Sequence, residues 1–246
     1  MFKLKNYLLI FTILLFSYSL VYSQVQNNEA KKTSNNLLYK SGAAVLTTSL
    51  LFLLDDEIRT RLQKKSLENN TLQTIGKNYG EFYYNLAFTG TLYLSNFIFK
   101  DERIAKTSKA LLESLLVGGL INGSLKFILG RARPYKNKGN YSFHWFETDN
   151  AYNSLTSGHT VTAFATSTIL AKIFDNTYAS ILLYGLAGIT AYQRMISDNH
   201  WFTDVFLGAA VGYFTAEYFY NKNKNNYSII PFIYKDVRGI SLSYKF

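Results

Sequence analysis

The sequence predicts an all-α protein: an antiparallel bundle of five to six core helices followed by a short C-terminal β-hairpin tail. Proline occurs only at Pro134 and Pro231, so little interrupts a helix. Five apolar stretches, near 80–99, 108–132, 159–174, 178–195 and 200–220, are long enough for helices and carry Gly and Ala for close packing. The period changes only at the end, where Ile240, Leu242, Tyr244 and Phe246 alternate with Ser241, Ser243 and Lys245.

In order, Lys3 and Lys5 precede an apolar run from Tyr7 to Phe16, and Val21-Tyr22-Ser23 offers a cleavage site before Gln24. Residues 1–23 therefore read as an export signal, with an uncleaved anchor as the alternative. Residues 24–40 are polar and read as a linker. Residues 41–54 are apolar but short for a bilayer. Residues 57–78 read as one amphipathic surface helix and a loop. The helical domain is expected over 41–220, with its catalytic core over 108–220. Asn85, Glu113, Asn122, Lys126, Asp204 and Glu217 interrupt the apolar stretches. The helices therefore suit either a bundle in a bilayer or the core of a soluble protein. Residues 221–226 form a polar linker, and Lys235 to Gly239 reads as the hairpin turn. One hairpin cannot close a barrel, so the tail is expected to pack or move freely.

The chain has 246 residues, a net charge of +10, no cysteine and three histidines. The absence of Cys excludes disulfides and thiolate chemistry. Three histidines leave too few ligands for a zinc site, so no metal is expected. Scattered basic residues amid apolar sequence argue against nucleic acid and for an anionic substrate or a membrane surface. No protein partner is indicated.

Three clusters carry the chemistry. The first holds Lys126, Arg133 and Pro134; seven residues apart, the two cations share one face if the helix reaches Arg133, where Pro134 would end it. The second is Thr156-Ser157-Gly158-His159, before a periodic run; Ser154, Thr156 or Ser157 could cap that helix, and its free amides would cradle an oxyanion. The third spans Arg194 to Asp204. Ser197-Asp198-Asn199 breaks the helix, so Arg194 ends one helix and His200 begins the next, with Asp204 four residues on. A carboxylate there can hold an imidazole in one tautomer. Singly, a basic helix end, an N-cap and a structural His–Asp pair explain these clusters. In an antiparallel bundle with short connections, however, all of them fall at one end. That gathers three cations, backbone donors and two histidines in one phosphate pocket.

The combination Lys126-x6-Arg133-Pro134, Thr156-Ser157-Gly158-His159 and Gln193-Arg194-x5-His200-x3-Asp204 resembles the type 2 phosphatidic acid phosphatase / vanadium haloperoxidase superfamily. Thr156 stands where that pattern has Pro, and Gln193 where it has Ser. The resemblance covers about residues 108–220. It implies a metal-independent phosphatase without cofactor, acting on a phosphomonoester or diphosphate of a membrane lipid or on a small phosphate ester. It further implies that His200 is a nucleophile forming a phosphohistidine, Asp204 orients it, and His159 protonates the leaving group and then activates water. Lys126, Arg133, Arg194, Ser157 and Gly158 would bind the phosphate. His144 is expected to serve loop structure. Alternatives are a soluble periplasmic acid phosphatase, a haloperoxidase with vanadate on His200, and a non-catalytic envelope protein.

Location follows from parity. If the signal is cleaved and 41–54 does not span, the site faces the periplasm or exterior. Lys100, Arg103, Lys106, Lys109, Lys222 and Lys224 then lie inside, as positive-inside bias prefers. The expectation is an outward-facing site, with 41–54 lying along or against the bundle.

Overall fold

The computed structural model describes residues 28–64, 70–224, 227–234 and 237–244. The expected export signal lies outside the described residues. The chain forms two compact units, Met1–Leu54 and Asp55–Phe246.

The first unit holds helix α1 (Asn28–Leu51) and a 3₁₀ turn at Phe52–Leu54. The helix therefore begins inside the stretch expected to be a linker. Polar composition alone does not stop a helix, and residues 28–41 contain neither Gly nor Pro.

In the second unit, α2 (Asp55–Lys64) and α3 (Asn70–Tyr79) replace the expected single surface helix. Then come α4 (Phe82–Phe99), α5 (Glu102–Leu129), α6 (Gly158–Phe174), α7 (Thr177–Ile196) and α8 (Phe202–Lys224). The five apolar stretches thus become five helices, with ends displaced by a few residues. Strands β1 (Tyr227–Tyr234) and β2 (Val237–Tyr244) pair antiparallel, with Tyr234 opposite Val237. Strand β2 already begins at Val237, inside the stretch Lys235 to Gly239 expected to be the turn.

Helix α6 is the hub. It packs on α5, α7 and α8, and Ala163, Ala165 and Ile169 are fully buried. Its small residues permit close approach. A Cβ on Gly212 of α8 would lie 2.3 Å from the Val161 carbonyl oxygen, so only glycine fits that crossing. Ala110, Leu111 and Leu115 of α5, Ala165 and Ile169 of α6, and Ala216 of α8 form the apolar core. Two buried hydroxyls of α6 are paired with neighbouring helices, as burial favours. Thr166 donates to Asn85 Oδ1 at 2.7 Å and Ser167 to the Leu183 carbonyl at 2.9 Å.

The helix ends bring the motifs together. Helix α5 stops at Leu129, not at Arg133, so Lys126 and Arg133 do not share a helix face. Gly130 ends it with φ +52°, its N–H bonded to the Lys126 carbonyl at 2.9 Å. A Cβ there would meet the His144 carbonyl oxygen at 1.5 Å. The chain turns back instead: Arg131 bridges to Phe143, and the Arg133 N–H reaches the Ala151 carbonyl at 2.9 Å.

Candidate active site

The joint between α7 and α8 places His200. The chain breaks after Ile196 as expected, with Asp198 at φ +56°, but α8 starts at Phe202, so His200 lies in the connection. The His200 Nδ1 is 2.8 Å from the Ser154 carbonyl oxygen. A carbonyl only accepts, so Nδ1 carries the proton and Nε2 keeps its lone pair. The Asp204 carboxylate is 3.7 Å from the same nitrogen, within ion-pair reach but longer than a hydrogen bond. The ring is thus aimed first by a backbone carbonyl, with Asp204 behind it. Burial pushes the His200 ring down to about 3; Asp204 opposes this, while Lys126 and Arg133 add to it. The imidazole is therefore neutral across the physiological range.

Asp204 is itself held on every side. It occupies the first turn of α8, and its Oδ2 accepts the Trp201 N–H at 2.8 Å, as a carboxylate at the third helical position caps a helix start. Ser154 Oγ donates to the same oxygen. Arg131 Nη1 donates to Oδ1 at 2.6 Å. Burial would raise this carboxyl, but Arg131, His200 and Ser154 outweigh it and hold it well below the usual range.

Arg131 and Asp55 escaped the sequence reading. Both are fully buried. Arg131 Nη2 donates to Asp55 Oδ2 at 2.6 Å, and Asp55 Oδ1 accepts the Thr203 N–H at 2.9 Å. A line of buried charges, Asp55–Arg131–Asp204, therefore runs up to the neutral His200 ring. Arg131 also lies 5.4 Å from the Trp201 ring centroid, with Arg59 at 5.5 Å. Arg59 is paired with Asp198 at 2.6 Å, which ties α2 to the His200 connection. Asp55 opens α2 seventy-six residues before Arg131, and no local pattern links the two.

The three remaining cations are bonded differently. Lys126 Nζ donates to the Asn153 carbonyl. Arg133 donates to the Asn150 carbonyl and side chain at 2.8 Å each, and to Asn199 Oδ1 at 3.2 Å. The buried Nε of Arg194 has no hydrogen-bond partner. Among the described residues none of these three forms an ion pair, although Arg133 and Arg194 are each only 9% exposed. Burial, with Arg133 beside it, pushes Arg194 down to about 10, so it remains charged at neutral pH. Three cations, two of them buried, with no ion-pair partner among the described residues make a site for an anion.

The start of α6 completes the arrangement. Ser157 sits at the cap position, but its hydroxyl makes no capping bond and instead accepts from Thr160 at 2.9 Å. The Ser157 N–H is bonded to the Asp204 carbonyl at 3.0 Å. The first amides of α6, from Gly158 on, are thus left without a side-chain cap, as oxyanion binding requires. His159 lies in this first turn, with its Nε2 3.3 Å from Oε2 of Glu81, a residue no motif contains. Burial and the Arg194 charge push His159 down to about 4, against Glu81. All eight expected residues therefore converge at one end of the bundle. Thr156 is buried and donates to Asn122 Oδ1 on α5 at 2.8 Å. The Gln193 amide oxygen is buried without a partner. His144 stays outside the cluster, its ring 4.3 Å from that of Tyr152, as expected of loop structure. Among the described residues no three His, Asp or Glu side chains gather as a metal would need.

Residues 108–228 match the family model described as the PAP2 superfamily. The chain is a member of that superfamily. It is 32% identical over 126 residues to a lipid A 1-phosphatase of Porphyromonas gingivalis, a match covering 50% of this chain and 24% of that protein. The chain thus spans about a quarter of that relative's length. The crystal structure of Aquifex aeolicus LpxE shares the fold, with a TM-score of 0.51 and 21% identity over 68% of this chain and 94% of that one. Two stretches of the PAP2 chain, Leu37–Lys64 and Glu102–Leu129, are long and apolar enough to cross a membrane. Only 22% of the most apolar part of the second is buried.

Proposed function

We propose that this protein is a metal-independent phosphatase that cleaves a phosphomonoester or diphosphate of a membrane lipid through a phosphohistidine. The supporting observation is the trio Lys126, Arg133 and Arg194, none of them in an ion pair among the described residues, beside a neutral His200 whose Nε2 keeps its lone pair. In this reading His200 Nε2 attacks phosphorus in line. The three cations, Ser157 and the Gly158 amide neutralise the nonbridging oxygens, and His159 gives its proton to the departing oxygen. His159 then takes a proton from the water that cleaves the P–N bond and releases phosphate. Asp204 stabilises the positive charge that builds on His200.

A lipid substrate is supported by the apolar exterior. Leu94, Phe97 and Ile98 of α4, Leu116 and Leu120 of α5, and Leu182 of α7 are all exposed. The relative's name makes the 1-phosphate of lipid A the first substrate to try. Positive-inside bias supports a site facing away from the cytoplasm.

The test is phosphate release from a panel of lipid and soluble phosphates without added metal. The intact enzyme is compared with His200→Ala, and acid-labile, alkali-stable phosphate on the protein is measured in parallel. Loss of both turnover and labelling in the variant is expected. Full activity in His200→Ala, or strict dependence on an added metal, would overturn the assignment.

A further inference from the structure

The turn between α3 and α4 delivers a carboxylate to His159. Glu81 Oε2 is 3.3 Å from His159 Nε2, and both side chains are 28% exposed. The turn is fastened to α6, the helix that carries His159, in three independent ways. The Asn85 side-chain amide donates to the carbonyls of Tyr79 and Glu81 at 2.8 and 2.9 Å, while its oxygen accepts from Thr166 of α6 at 2.7 Å. The Tyr79 hydroxyl is 2.7 Å from Ser167 Oγ, also on α6. Gly80 lies so close to the histidine that a Cβ there would fall 2.8 Å from the His159 carbonyl oxygen and 2.9 Å from its Cβ. These contacts fix where Glu81 sits relative to His159.

A carboxylate in an anion site opposes substrate binding, so its presence calls for another use. Its neighbours supply one. The charged groups acting on His159 besides Glu81 are Arg194 of α7 and Lys126 of α5, and both drive a proton off the ring. The two groups are within ion-pair distance without a formed hydrogen bond, since the buried Nε2 has no hydrogen-bond partner. A carboxylate facing Nε2 favours the tautomer that carries hydrogen there, which leaves Nδ1 to take and give the second proton. We infer that Glu81 is a positioning residue that holds His159 in the tautomer and charge state needed to protonate the leaving oxygen. Burial, Arg194 and Lys126 hold the free ring down to about 4, so His159 takes its second proton when the bound phosphate's negative charge offsets those cations. The His200 Nε2–P bond then forms as the P–O bond breaks, and the proton passes from His159 Nδ1 to the departing oxygen. His159 is left neutral, with its Nε2–H facing Glu81. This inference rests on the acid–base role proposed above for His159.

The test exploits the leaving group. A poor leaving group, such as the alkoxide of dioleoyl phosphatidic acid, needs the proton; an aryl oxide, as from p-nitrophenyl phosphate, departs without one. The full chain in detergent is assayed on both, and kcat/KM is compared because it reports formation of the intermediate. Glu81→Gln is expected to lose roughly 10²-fold on the alkyl ester, the low end of general-acid contributions, and less than about 3-fold on the aryl ester. Glu81→Asp should recover part of the alkyl activity. Retained aryl activity shows that the variant is folded. Equal losses on both substrates, or no loss on either, overturn the role of Glu81. His159→Asn separates the two layers. If it discriminates between the esters and Glu81→Gln does not, the Glu81 inference alone fails. If His159→Asn shows no discrimination, the acid–base reading fails, and the Glu81 inference fails with it.

Discussion

Removing Arg131 tests the buried charge line behind the nucleophile. The side chain is fully buried and paired at 2.6 Å with each of two fully buried carboxylates, Asp55 and Asp204. Arg131→Ala leaves both without a countercharge, and breaking a buried pair in this way costs about 3–5 kcal/mol. The carboxylates keep other donors, Thr203 for Asp55 and Ser154 and Trp201 for Asp204, which argues against a larger figure. Against total stabilities of about 5–15 kcal/mol, the loss is severe. At about 2–4 °C per kcal/mol for a chain of this size, melting should fall by roughly 6–20 °C. Trp201 lies against Arg131, and the chain has only two tryptophans, so fluorescence in a Trp145→Phe background reports the site directly. Adding Asp55→Asn should restore part of the loss, because the neutral amide needs no countercharge. A fall of less than ~1 kcal/mol in Arg131→Ala, with no recovery in the double variant, would refute the electrostatic reasoning.

Two further outcomes follow from the same geometry. Gly130→Ala should destabilise by more than ~3 kcal/mol, since left-handed strain of ~1–3 kcal/mol adds to a Cβ placed 1.5 Å from the His144 oxygen. Gly139→Ala, at φ +80° but with open space around it, should cost only the strain, and thermal melts of the two variants give the comparison. Acid should also weaken the fold. His159 and His200 are depressed to about 4 and about 3, so between those values and about 6.5 the unfolded chain binds protons the native chain does not. Stability is then complete near neutrality and declines as pH falls below about 6.5, and His159→Asn/His200→Asn should flatten the melting temperature between about pH 6.5 and 5.

The helices were legible because apolar runs of helical length with almost no proline have few other solutions. The site residues were legible for a related reason: their spacing coincides with helix ends, and short connections bring those ends together. Reading Lys126 and Arg133 as one helical face went too far, since it overlooked Gly130. That glycine ends α5 three residues before Arg133, and the fold-back at 130–133, not a helical repeat, brings Arg133 to the site. Likewise Ser197-Asp198-Asn199 marked the break, but the sequence did not show that His200 stays outside α8 and bonds to Ser154.

The apolar core helices, the end of the bundle at which the chemistry gathers, and the residue types that meet there were already legible along the chain. These follow from periodicity and chain direction, which are local properties. What stands behind the reacting groups emerges only on folding. Asp55 meets Arg131, and Glu81 meets His159 across seventy-eight positions, because α2 and the α3–α4 turn pack onto the site from elsewhere in the chain. A charge partner so distant leaves no pattern in a single sequence; it exists only when burial removes water and forces each ion to find its counterion.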